Sequence, residues 1–147
     1  MFTLLTACGG GPEAKLEQAK DALAKGAYDD ALTAAAAGIS GGAEGAVAWR
    51  PELASLEAEA RGGKAPAVQA RLERLASTKP EQVPASLYVQ SAGQLKDGGD
   101  AVGAISVLDA GAKRFPTDSN LTRAIEQAKA SGSAAELEHL RSLGYLE

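Results

Sequence analysis

Three glycines set the frame of this chain. Gly26, Gly63 and Gly99 stand 37 and 36 residues apart, and the residues that follow them fall into step. Five positions on sit Ala31, Val68 and Ala104; nine on, Ala35, Leu72 and Leu108; twelve on, Gly38, Leu75 and Gly111. Pro80 and Pro116 close the second and third units alike. Self-similarity at such a period marks a supersecondary unit that cannot bury its apolar face alone and stacks on copies of itself.

The unit reads as a pair of helices, because apolar residues recur at helical spacing between glycine-containing turns. Pro12 and Glu13 open a first helix, since Pro fits the first turn and an acid favours its positive end. Leu16, Ala19 and Leu23 line it, and Gly26 stops it. A second is expected from about Tyr28 to Ile39, with Tyr28, Ala31, Leu32, Ala35 and Ile39 inward and Gly41, Gly42 and Gly45 breaking it. The third is expected to open at Pro51 and reach Arg61, with Trp49, Leu53, Leu56 and Ala60 available for burial. The fourth, near Ala65 to Thr78, presents Val68, Leu72 and Leu75. A fifth starts at Pro84 and carries Leu87, Tyr88, Ser91, Ala92 and Leu95. Asp100 caps a sixth, with Ala101, Ala104, Ile105, Leu108 and Ala112 as its stripe, ended by Phe115-Pro116. Leu121, Ala124, Ile125 and Ala128 mark a seventh from Ser119 to Ala130. Ser133-Ala134-Ala135-Glu136 has the form of a capping box for a last short helix, and Gly144 stops it so that Tyr145 folds back. Composition agrees: more than a fifth of the residues are Ala and aromatics make up 4%. A core of small and Leu-sized side chains suits closely packed helices better than a sheet.

These residues resemble the tetratricopeptide repeat. That family carries Gly at the turn, an aromatic or Ala two residues later, Ala at the helix–helix contact and Pro at the unit's end. Gly99-Asp100-Ala101, Ala104-Ile105, Leu108 and Pro116 follow the pattern, and Tyr88, Ala92 and Leu95 fit the preceding helix. Gly26, Tyr28, Ala31 and Ala35 follow it in the first unit. The middle unit departs on its leading helix, where Leu56 replaces the small residue and Glu59 an aromatic. The resemblance implies an all-α, right-handed stack of about three hairpins over residues 12–131, followed by C-terminal capping helices. It also implies a concave face lined by the first helix of each pair, along which a peptide or protein partner lies. The matching positions are Glu13, Glu17, Lys20, Arg50, Glu57, Arg61, Gln90 and Lys96. They do not make the Lys/Asn clamp that some members use for a C-terminal carboxylate. The alternative is an unrelated Ala-rich helical bundle.

The first residues carry a second resemblance. Leu5-Thr6-Ala7-Cys8 is similar to the lipobox of bacterial lipoproteins, which implies lipidation of Cys8, and Gly9, Gly10 and Gly11 would form a tether. A secretory signal has a basic start and a longer apolar stretch, so residues 1–8 are expected to be the tail of a longer signal peptide. By the same analogy, Gly rather than Asp after the cysteine implies an outer-membrane lipoprotein facing the periplasm. The other reading of this segment is an apolar arm with an idle cysteine.

Little points to chemistry. One His and one Cys exclude a His/Cys metal site and a disulfide framework. A formal net charge of −4, with Lys and Arg spread along the chain, argues against nucleic acid as a partner. The glycine-rich turns lack the strand before and the Lys-Ser/Thr after that a phosphate loop needs. His139, among Glu136, Glu138 and Arg141, reads as solvated or locally paired. Asp29-Asp30, Glu57/Glu59 and Arg71/Arg74 read as exposed helix faces. Residues 138–146 resemble a tail of some bacterial repeat proteins and sulfatases, with none of a sulfatase's catalytic sequence, so residues 132–147 read as a cap.

The expectation is therefore a protein without catalytic residues, cofactor or metal, acting as a scaffold for a protein partner in the cell envelope. It would be held at the membrane through Cys8. The alternatives are a cytoplasmic adaptor and an accessory subunit of an enzyme complex.

Overall fold

The computed structural model describes residues 10–41 and 46–147, and every regular element among them is helical. Residues 1–8 with Cys8, Gly9 of the tether, and Gly42 and Gly45 lie outside the described residues. In order, the helices are α1 (Pro12–Ala24), α2 (Tyr28–Ser40), α3 (Ala46–Arg61), α4 (Ala65–Thr78), a 3-10 turn at Pro80–Gln82, α5 (Ala85–Asp97), α6 (Ala101–Arg114), α7 (Ser119–Ser131) and α8 (Ala134–Ser142). The chain divides into two compact units, Met1–Ser55 and Leu56–Glu147.

The period seen in the sequence is present in the backbone. Gly26, Gly63 and Gly99 all take positive φ, at 71°, 67° and 92°. Each donates its N–H three residues back, and the next residue donates five residues back: Ala27 to Ala22, Lys64 to Glu59 and Asp100 to Leu95, each at 2.9 Å. This is the Schellman stop, which satisfies carbonyls that the helix end would leave bare. Gly144 repeats it with φ 85°, as Tyr145 donates to Leu140.

In the first unit, α1 and α2 form an antiparallel hairpin. Leu16 and Ala19 of α1, Ala35 of α2 and Ala54 of α3 make its core, with Leu23 and Ala34 packed against it. Buried Gly38 brings α2 close to α3: a Cβ placed there would come 3.4 Å from Pro51 Cγ. Pro51 does not open α3, as the sequence suggested, but lies inside it. A proline there removes one i to i−4 bond; its ring is among the most fully buried side chains.

In the second unit neighbouring helices pack in sequence order. The end of α3 runs through the Gly62-Gly63 turn into α4, and α5 lies along α6. From α4 onward each helix touches the next and the next but one. Val68, Leu72, Leu75, Leu95, Ile105, Val107, Leu121 and Leu140 fill the interior. The turns of successive hairpins also meet: a Cβ on Gly98 would lie 2.6 Å from the Arg61 carbonyl oxygen, so only glycine fits. Local signals start the helices, Asp100 and Ser133 as expected and Asp118 in addition. Asp100 accepts the Gly103 N–H at 2.8 Å, Asp118 accepts from Asn120 and Leu121, and Ser133 and Glu136 close a capping box.

Candidate functional site

Of the side chains assigned to a concave face, Glu13, Glu17 and Lys20 stand exposed on α1 and Arg50 exposed on α3. Lys20 is paired with Glu17 at 2.7 Å. In the second unit Arg61 is paired with Glu57 at 2.7 Å on the surface of α3, and Gln90 is exposed on α5. Such exposed pairs within one helix contribute a few tenths of a kcal/mol, on the order of 0.3–0.5. Lys96 differs, because it leads to a cleft.

That cleft, of about 220 Å³, lies among α5, α6, α7 and α8. Small and aliphatic side chains build most of it: Ala92, Ala104, Ile105 and Leu108 are buried, with Val89 and Ala124 partly so. Gly93 opens it further, in the middle of α5, where an added Cβ would meet nothing within 4 Å. Lys96, Gln127 and Glu136 supply its polar groups. Glu136 is 6% exposed. One carboxylate oxygen accepts the Ser133 N–H at 2.8 Å; the other faces Lys96 Nζ at 3.4 Å. The Ser133 backbone and hydroxyl bonds, ahead of the nearby Lys96 charge, hold this carboxyl below the ordinary carboxylate range despite its burial.

A larger and more polar groove of about 740 Å³ runs between α4 and α6 over buried Tyr88. Glu73, Asp109, Lys113 and Arg114 line it. Its charges are largely engaged: Lys113 donates to Asp109 at 2.6 Å, and Arg114 donates to the Ala76 carbonyl at 3.1 Å and lies over the Phe115 ring. Burial raises the Tyr88 phenol, which the Arg114 charge partly offsets.

Two sequence readings are corrected. Glu59 and Arg71 are not solvated faces. Glu59 is 7% exposed, and Arg71 grips it with two bonds, Nε–H and Nη2–H donating at 2.8 and 2.7 Å. This fork joins α3 to α4. The spacing of twelve residues across a turn gave no helical signal for it. His139 pairs across helices: its Nε2 is 2.7 Å from Ser106 Oγ on α6, and its Nδ1 is 3.5 Å from Ser142 Oγ. Ser106 stands mid-helix, where neighbouring N–H groups are committed to α6, and a hydroxyl rather than a carboxylate faces Nδ1. The Ser106–His139 contact acts as a clasp between α6 and α8. Tyr145 adds a second clasp, donating to Asp109 at 3.0 Å.

Among the described residues, no three His, Cys, Asp or Glu side chains come together as a metal site, and no helix is long and apolar enough to cross a membrane. No family model, no curated protein and no solved structure matches the chain.

Proposed function

We propose that this chain is a non-catalytic interaction module, a stack of tetratricopeptide-like hairpins that presents the α5–α8 cleft to a protein partner. What supports the reading is the cleft itself. Water-accessible space walled by Ala92, Ile105, Leu108 and Val89, with three polar groups, suits an anchor side chain of a partner. The repeat pattern supports the stack: the three turn glycines share one Schellman geometry, and each helix from α4 onward meets the next two.

The proposal includes an anchor. Leu5-Thr6-Ala7-Cys8 supports acylation of Cys8 and a place in the cell envelope, at the periplasmic face of the outer membrane. Stable anchoring then takes more than one acyl chain, since one binds only reversibly. Mass analysis of the mature N-terminus beside a Cys8→Ser control tests this: a lipidated cysteine lost in the control supports it, and an unmodified chain retaining Met1 refutes it.

Docking is tested separately. A photo-crosslinking residue is placed at Gln127, on the cleft, or at exposed Thr122 of the same helix, which does not line it. The reading predicts one partner band from Gln127 and none from Thr122 in native cells. Equal labelling from both, or none from Gln127, contradicts it.

A further inference from the structure

We infer that the α5–α8 cleft takes a lysine side chain of the partner, with its aliphatic stem along the apolar walls and its ammonium on Glu136; this rests on the docking reading above. Three observations converge. The first is shape. Gly93 sits mid-helix, where glycine costs about 1 kcal/mol relative to alanine, and a Cβ there would occupy open space. The cleft's length along α5, from Val89 through Gly93 to Lys96, suits a linear chain.

The second is charge. Glu136 is an almost fully buried carboxylate held in its ionised form by its Ser133 bonds. Its outer oxygen has Lys96 at 3.4 Å. Charge-assisted N–H···O bonds run at about 2.7–2.9 Å, so this resident ion pair is longer than the close form. A purely apolar occupant would press hydrocarbon against that oxygen and remove its water, at a cost of lost solvation. An ammonium at the end of the stem exchanges the long Lys96 contact for a close one.

The third is the exposure of the resident cation. The Lys96 side chain is 54% exposed. It can swing into water when a second ammonium arrives, so it competes with the occupant rather than assisting it. A lysine stem lies naturally along apolar surface while its tip seeks a polar partner.

The test uses the ¹⁵N-labelled full chain and two blocked tripeptides, acetyl-Ala-Lys-Ala-amide and its norleucine counterpart, which has the same stem without the charge. The lysine peptide should shift the amide signals of Gly93, Ile105, Gln127 and Glu136 in a saturable way. The norleucine peptide should bind at least about tenfold more weakly. Glu136→Gln should weaken the lysine peptide to the same degree, and because Gln also serves at this capping-box position, α8 stays capped. Lys96→Ala should tighten binding. Comparable shifts from both peptides, or weaker binding in Lys96→Ala, overturn the assignment of a cation to Glu136. No shift with either peptide overturns it as well, yet leaves the docking reading to stand or fall by crosslinking from Gln127.

Discussion

At the scale of single residues, a few buried polar groups decide more than the many exposed charges. The Glu59–Arg71 fork is the clearest. Its side chains are 9% and 18% exposed, so removing Glu59 leaves a largely desolvated guanidinium short of two bonds. Breaking a buried pair from one side costs about 3–5 kcal/mol. Arg71 keeps some solvent contact, so Glu59→Ala should fall near the lower figure, about 3 kcal/mol, in urea unfolding. Replacing both with Leu should restore most of the loss. Ser91 gives the opposite sign. Its hydroxyl is buried without a hydrogen-bond partner among the described residues. Ser91→Ala removes that unmet group and favours the helix, so it should stabilise the chain by about 0.5–1.5 kcal/mol. A loss of stability instead would mean that Ser91 Oγ has a partner in solution.

Glu136 also makes a pH prediction. Its carboxyl titrates below its ordinary value of 4.5 in the fold, chiefly through the Ser133 bonds. The unfolded chain therefore takes up this proton first as the pH falls. The stabilisation is complete above the ordinary value and fades as the pH drops through the lowered one. Thermal unfolding between neutral pH and pH 3 should show Glu136→Gln with a shallower acid-side decline than the parent. Parallel declines would contradict the shift. The sequence disclosed the capping box that creates this effect, but not Lys96 opposite it, because that contact depends on how α5 meets α8.

At the scale of elements, two glycines inside helices carry opposite meanings. Gly111 of α6 stands at a crossing: a Cβ there would come 2.8 Å from Tyr88 Cβ and 2.9 Å from Leu121 Cδ2. Gly111→Ala must push helices apart, and overpacking of this kind costs about 1–3 kcal/mol. Gly93→Ala meets nothing and should gain up to about 1 kcal/mol from helix propensity. Guanidinium unfolding of the two variants should move midpoints in opposite directions; movement in the same direction would contradict the packing described. Ala31 and Ala104 divide in a similar way. Both are buried, but Ala104 borders the cleft while Ala31 of α2 has no exposed surface. Ala31→Leu should therefore cost about 1–3 kcal/mol, with less for Ala104→Leu.

The helices themselves were legible in the chain because their stop and start signals are local. Gly26, Gly63, Gly99 and Gly144 need only their own backbone geometry, and Asp100 and Ser133 only the next three residues. Pro51 misled for a matching reason: local preference puts proline in a first turn, whereas its burial inside α3 depends on what surrounds it. The cleft was legible only at Lys96. Its walls come from four helices, and nothing in a single helix's periodicity tells an alanine that lines a space from one that fills it.

At the scale of the molecule, the turn glycines that recur with the sequence period share one backbone geometry, and the helices of the second unit pack in regular order. Small side chains let helices approach closely, and one place on α5 is left open where closure would have been simple. The proposed role of this opening is to admit a partner. Gly93→Leu tests it directly, measured by urea unfolding together with crosslinking from Gln127. Stability equal to or above the parent and loss of the partner band are expected. Lowered stability would show that the space is not open, and an undiminished band would show that the cleft is not where the partner binds.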